Sequence, residues 1–281
     1  MRLFFVSGLL ALGFPFIRSD FVDSFSTCSD FFLKGTPPTI PGILEKSVSE
    51  NKNQYQAICQ EANNMYRYAT LYDTKNRIPV FSAYKYTGRS TDFNAPKRNW
   101  KIHPGLENTE QYYHNNQLHL TRGHIFPMSY AADVDAAKST CDMINIVPQV
   151  DRFNDGSWGR MEQKVKSVMD SQCRDEKDNN KILAYGLTGA VPSQNKLLEE
   201  KVNIPSHMWT AFCCFNSKSR KWESLAHWAE NVDESDDKAK SITEQSLEKL
   251  QEFLKSMYNT EYAPFNGECM DLFVTGEIQP Q

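Results

Sequence analysis

The residue types that could carry chemistry gather between Arg98 and Lys166. His124 closes the run Thr121–Arg122–Gly123–His124. An imidazole titrating near neutrality can take a proton from water, and the glycine before it lets a ligand approach the backbone. Arg122 offers a planar guanidinium that can clamp a phosphate. Asn154 lies just ahead of a helical pattern that begins at Gly156. Continued backwards at about 100° per residue, the wheel of that helix drops Asn154 into the apolar stripe of Trp158, Met161 and Val165. An amide there must be satisfied. It is either the helix N-cap, a role for which Asp155 competes, or the ligand of an ion. Phosphodiester hydrolysis needs a base, a cation facing the charge that builds on the phosphate, and groups that hold the scissile bond in line. This stretch contains residue types for all three.

The same residues have plainer readings. A capping or solvent-facing histidine has the signature of His124, and Asn is a common N-cap. Glu162 and Lys166 are i,i+4 neighbours, as in any surface ion pair. Asn145 interrupts an otherwise apolar strand, so its amide is expected to be buried or nearly so. Lys97, Arg98, Trp100 and Lys101 combine basic side chains with an aromatic ring. They form either a patch facing phosphates or loop decoration.

Elements that would position these residues can be traced along the chain. Lys34 to Gly42 is a proline-rich approach. Tyr66 to Thr87 has the alternation of a β-hairpin turning at Asp73–Asn76. Thr87 to Asn116 is a long polar loop, of a length often tied to function. Leu118 to Thr121 resumes a strand that ends at Arg122–Gly123–His124. Residues 129–140 are helical in composition, and Ile144–Val147 is an apolar strand stopped by Pro148. The helix from Gly156 to about Asp170 follows. Ile182–Val191, Met208–Phe215 and Trp222–Trp228 read as strands. An acidic polar linker spans Asn231–Lys238, and a last amphipathic helix spans Lys240–Tyr258. Strands in hairpins outnumber helices, so the expected fold is α+β with a mostly antiparallel central sheet flanked by helices.

The 281 residues are 40% hydrophobic and carry a net charge of −4. That suits one domain with a real core and argues against a strongly basic, tightly binding nucleic-acid protein. An apolar run from Leu3 to Ile17, after Met1–Arg2 and before Ser19–Asp20, reads as a secretory signal peptide ending near residue 20. It is shorter than the roughly 20 residues a membrane-spanning helix needs, and no later segment is apolar enough to span. Seven cysteines without metal-type C-x-x-C pairs suggest disulfides and an oxidising compartment. At least one thiol is left over, the adjacent Cys213 and Cys214 are poorly placed to bridge each other, and the pairing stays open.

Thr121–Arg122–Gly123–His124, then Asn145–Ile146–Val147–Pro148–Gln149, then Phe153–Asn154–Asp155–Gly156–Ser157–Trp158 resemble the blocks D-R-G-H, N-x-x-P-Q and L-N-x-x-x-W of the DNA/RNA non-specific endonuclease family, which carries the ββα-metal (His-Me finger) site. Glu162, eight residues after Asn154, matches that family's glutamate, and Arg98 in R-N-W-K resembles an upstream arginine of bacterial members. From Phe25 to Cys28, through F-F-L-K-G-T-P-P and I-P-V-F-S-A-Y-K-Y-T-G, the chain is similar to the secreted, endonuclease-domain-containing branch of vertebrates. The resemblance implies a single domain over 21–281 with its motif core at about 80–170. It also implies a secreted enzyme that hydrolyses DNA and RNA with little sequence preference. By that resemblance His124 is the general base and Asn154 the protein ligand of Mg2+, with Mn2+ or another divalent cation as alternatives. Arg98, Arg122 and Glu162 support phosphate and metal waters, Asn145 orients the site, and Lys101 and Lys166 bind substrate. Thr121 stands where the family has aspartate and brings no charge, so weaker metal binding or slower turnover is expected. The rival expectation is a secreted nuclease-fold protein that has kept binding and lost turnover.

Overall fold

The computed structural model describes residues 21–90, 93–114, 116–235, 237 and 239–273. The expected leader lies outside the described residues. Eight strands carry the architecture: β1 (Tyr55–Ala62), β2 (Met65–Asp73), β3 (Ile78–Tyr86), β4 (Leu120–His124), β5 (Ile146–Val150), β6 (Ala184–Val191), β7 (His207–Asn216) and β8 (Lys221–Glu230). They run with helices α1 (Val134–Ser139), α2 (Asp151–Phe153, Asn154–Trp158 and Gly159–Gln172, kinked at Gly156) and α3 (Leu247–Tyr258).

Aromatic and β-branched residues in period-two alternation make the central sheet. Its order is Phe21–Val22, β1, β2, β3, β6, β7, β8, Asp271–Leu272. All neighbours are antiparallel except the last pair, and Cys173–Arg174 joins β7 off this path. Both faces are covered. Along β2, Tyr68 and Tyr72 point into one apolar layer with Phe126, Phe153, Trp158 and Met161, while Ala69 and Leu71 point into the other with Phe25, Trp209 and Leu250. The mixed α+β fold with a mostly antiparallel sheet is therefore as expected. The hairpin over Tyr66–Thr87 and the strands over 182–191, 208–215 and 222–228 also form, within a residue or two.

Disulfides join Cys28–Cys59, Cys173–Cys214 and Cys213–Cys269, leaving Cys141 free and buried. Neighbouring residues on a strand face opposite ways. Cys213 and Cys214 on β7 therefore staple opposite faces of the sheet, Cys214 to the end of α2 and Cys213 to the C-terminal segment.

Several boundaries differ from the sequence reading. Pro148 does not stop its strand: β5 runs on to Val150. Its ladder with β4 is a separate two-stranded sheet, where a proline without an N–H can sit on the unpaired side. Asn145 lies in the 3-10 turn Met143–Asn145 ahead of the strand. The final helix starts at Leu247, not Lys240, because Gln245 is held extended by paired backbone bonds to Ala226 and Ser246 caps the helix. The acidic stretch 231–238 is no free linker: Asn231 and Glu234 are buried.

The largest correction concerns α2. It begins at Asp151, and neither Asn154 nor Asp155 is its N-cap. One π turn spans Asn154–Trp158, with the Gly159 N–H donating to the Asn154 carbonyl. The extra residue invalidates the backward wheel. Phe153, fully buried and 5.6 Å from Trp158 between ring centroids, fills the apolar place assigned to Asn154. Asn154 turns to a half-buried position.

Candidate active site

β4 and β5 pair antiparallel with His124 opposite Ile146 and Leu120 opposite Val150, and Val150 leads directly into α2. A hairpin bearing the histidine thus feeds a helix bearing the asparagine. The helix returns over the hairpin: the Tyr130 hydroxyl, six residues past His124, donates to the Glu162 carbonyl at 2.8 Å.

Asn145 fixes this turn. Its side-chain oxygen accepts from the Phe126 N–H at 2.8 Å and from the Ser82 hydroxyl at 3.0 Å. Its amide nitrogen donates to the carbonyls of Phe126 (3.0 Å) and Thr140 (3.1 Å). Ser82 belongs to a row of hydroxyls across the sheet, bonded to Thr70 at 2.8 Å, with Thr188 and Thr210 bonded at 2.7 Å on the next strands. The turn after His124 is therefore tied to the middle of the main sheet.

On a strand, Arg122 and His124 share one face, and Trp100 from the long loop lies against both. Its ring is 5.5 Å from the imidazole, and the Arg122 guanidinium stands 5.3 Å from its centroid. Backbone bonds from Lys101 to Cys141 and from Met143 to Lys101 hold the loop there. The imidazole also meets a thiol: Sγ of Cys141 is 3.9 Å from Nε2. Burial, followed by the nearby Arg98 charge, pushes the His124 pKa down to about 3, so the ring is neutral at pH 7.

The remaining cations are unequally committed. Arg122 donates to Glu110 at 2.6 Å and is sandwiched by Trp100 and Tyr113. Lys166 turns to Asp170 at 2.6 Å rather than forming the expected pair with Glu162. Arg98 and Lys101 are exposed, with Arg98 near enough for its charge to act on His124. Thr121 pairs in register with Gln149, on the strand face opposite His124. Gly123 shares that face, where a Cβ would meet the Gln149 side chain at 2.1 Å.

Glu162 accepts from the Trp158 indole N–H at 2.9 Å, and burial pushes its carboxyl up to about 8. Asn154 opens the turn Asn154–Trp158, in which Gly156 departs from helical backbone (φ −91°, ψ −120°), and Glu162 lies in the first turn of the helix that follows. Helix side chains lean towards the N-terminus, which aims the carboxyl at the Asn154 turn. The Asn154 amide has no hydrogen-bond partner among the described residues. A partner-free amide oxygen and a desolvated carboxyl lacking a cation are hard donors that suit a divalent ion. Among the described residues no group of three or more His, Cys, Asp or Glu side chains could hold a metal between them. A cation at this place would rest on Asn154 and water, as magnesium tolerates.

Sequence reasoning missed Cys141, Glu110, Tyr130 and Glu234 as parts of this neighbourhood. Only Cys141 left a signal, as the odd thiol.

Residues 47–267 match the family described as DNA/RNA non-specific endonuclease. Among curated proteins, the human endonuclease domain-containing 1 protein is 28% identical over 214 residues, covering 68% of this chain and 39% of that protein. The mouse protein of the same name is 29% identical over 220 residues, with the same coverages. The chain thus spans about two fifths of these relatives' length. A nuclease of Serratia marcescens is 28% identical over 145 residues, 48% of this chain and 52% of that protein. In fold, the chain is similar to one from the crystal structure of the EndoG/EndoGI complex. The TM-score is 0.54 at 15% identity, covering 78% of this chain and 86% of that one.

Proposed function

From the premise that the chain belongs to the DNA/RNA non-specific endonuclease family, we propose that it is a secreted, divalent-metal-dependent hydrolase of phosphodiester bonds in DNA and RNA. The observation that carries this reading is the neutral imidazole of His124, clasped by Trp100 and Cys141, on a hairpin running into the helix that bears Asn154 and Glu162. With Nε2 turned to the thiol, Nδ1 is the nitrogen left to take the proton from the attacking water. Trp100 keeps the ring from rotating away, and Asn145 keeps the following turn in place. Arg98 and Lys101 meet the phosphates of the entering strand, with Lys166 and Arg122 adding positive potential from within their ion pairs. Asn154 would hold Mg2+, or Mn2+, through its amide oxygen, with Glu162 on the first turn of the helix that follows. Bound there, the cation would supply positive charge to the phosphate oxygens and to the leaving oxygen. Contacts confined to phosphate fit cleavage with little sequence preference. The leader-like N-terminus and three disulfides support secretion.

The test is degradation of plasmid and of RNA by the purified chain with Mg2+ and with a chelator, beside His124→Ala and Asn154→Ala. Metal-dependent cutting lost in both variants is expected; cutting in chelator, or by either variant at full rate, refutes the assignment. A second reading, a nuclease fold that binds without turnover, is favoured by the pairing of Arg122 with Glu110 and of Lys166 with Asp170. Absence of cutting with every divalent ion, together with retained DNA binding, would select it.

A further inference from the structure

The acidic stretch after β8 lies along α2. Asp233 faces Arg152 at 4.0 Å, the Lys240 carbonyl accepts from Arg160 at 2.7 Å, and Glu244 meets Lys164 at 3.2 Å. Between these, Glu234 reaches the π turn. Its Oε2 accepts from the Ser157 N–H at 3.0 Å, its Oε1 accepts from the Ser157 hydroxyl at 2.6 Å, and Lys240 lies 3.3 Å away. The carboxylate is almost wholly buried, with 2% of its side chain exposed. A Cβ at Gly156 would come within 2.7 Å of Oε2, so glycine leaves the space that the carboxylate fills.

Geometry that costs a helix its regular bonding needs an outside group to hold it. The Ser157 N–H is the donor that α geometry would have directed to Phe153. A charged acceptor captures it instead, from 77 residues further along the chain. We propose that Glu234 is a positioning residue for the cation site: by holding Ser157 it keeps the kinked turn at Gly156 open, and the open turn sets the direction in which Asn154 is presented. Glu234 need not touch the ion. Its effect passes through the backbone of Asp155–Gly156–Ser157. The inference rests on the reading of Asn154 as the metal-holding residue. Outer groups that orient a metal ligand commonly change metal affinity by about 10–100-fold.

The test is calorimetric titration of the full chain with Mn2+, alongside hydrogen exchange of the Ser157 amide and thermal melting. Glu234→Ala should weaken Mn2+ binding about tenfold or more and speed Ser157 exchange. Glu234→Gln, whose oxygen can still accept from the N–H, should recover most of the affinity; a purely structural defect would not follow that order. Should Glu234→Ala fail to fold, Ser157→Ala reads the same linkage through the lost hydroxyl bond, with about threefold weaker binding expected. Wild-type affinity in Glu234→Ala, or in Ser157→Ala when it must stand in, overturns the proposal. Asn154→Ala separates the causes. If it abolishes Mn2+ binding while the Glu234 variants bind normally, the positioning role alone is wrong. If Asn154→Ala binds Mn2+ like wild type, the metal assignment fails and the positioning role fails with it.

Discussion

The sulfur of Cys141 lies 3.9 Å from Nε2 of His124, and no other cysteine in the chain is free. A neutral imidazole thus touches both an indole ring and a thiol. The contact leaves Nδ1 as the ring nitrogen not engaged by the thiol, and it places a free thiol beside the proposed base.

Thiol chemistry reads this contact directly. Titration with an aromatic disulfide reagent should find one thiol in denaturant and very slow reaction in the native state, because Cys141 is buried. Cys141→Ala should lower kcat by less than about tenfold, since a sulfur contact is a weak hydrogen bond. His124→Ala should cost on the order of 10²–10⁴-fold. Equal losses in the two variants would give the thiol a direct part in the chemistry.

Glu162 should make cation binding depend on pH. Its carboxyl titrates at about 8 in the folded, metal-free chain against an ordinary 4.5, and a hard cation prefers the carboxylate. Affinity for Mg2+ should therefore rise by up to about tenfold per pH unit towards pH 8 and level off above it. Glu162→Gln should flatten the profile. Stability runs the other way. Between about 4.5 and 8 the folded state keeps a proton that the unfolded chain releases, so stability falls as pH rises through that window. The metal-free Glu162→Gln variant should gain on the wild type in melting temperature from pH 5 to pH 8. An unchanged difference between the two pH values would show that Glu162 titrates normally.

Asn145→Ala should destabilise the chain by about 2–4 kcal/mol in urea unfolding, because it strands the buried Phe126 N–H and two carbonyls and leaves the Ser82 hydroxyl with Thr70 alone. Asn145→Asp should fare no better, having lost both amide donors. A loss below about 0.5 kcal/mol would mean that water replaces the amide and that the turn is not held as described.

Thr121 faces Gln149, away from His124. Thr121→Asp should change Mn2+ affinity by less than about threefold, because the added carboxylate would stand on the strand face opposite His124. Tightening by tenfold or more would return the position to the metal's surroundings and support the sequence expectation that threonine weakens the site.

The parts legible in the sequence were local. Alternation along Tyr68–Leu71 and Val80–Tyr86 marked the main hairpin, and Gly123–His124, Asn145 and Asn154–Trp158 marked the hairpin and helix of the site. The illegible parts depended on distance or on an irregular turn. Nothing near Ser157 announces Glu234, and an acidic run reads as solvated until its partner is known. A 100° wheel has no way to represent a π turn, so it gave Asn154 the place that Phe153 occupies. The adjacent Cys213 and Cys214 permitted many pairings; strand alternation on β7 chose partners on opposite faces.

The turn at Gly156 also makes the stretch one residue longer than regular winding needs. Seven residues of ordinary α-helix turn through about 700°, within about 20° of two full turns, so loss of a single codon within 155–157 would let the run wind regularly and leave Asn154 nearly in line with Glu162. Trp158, Met161 and Val165 would stay in register, and such a deletion product should fold while losing the bend that Glu234 holds. Within this stretch, length carries information separate from the identity of the letters.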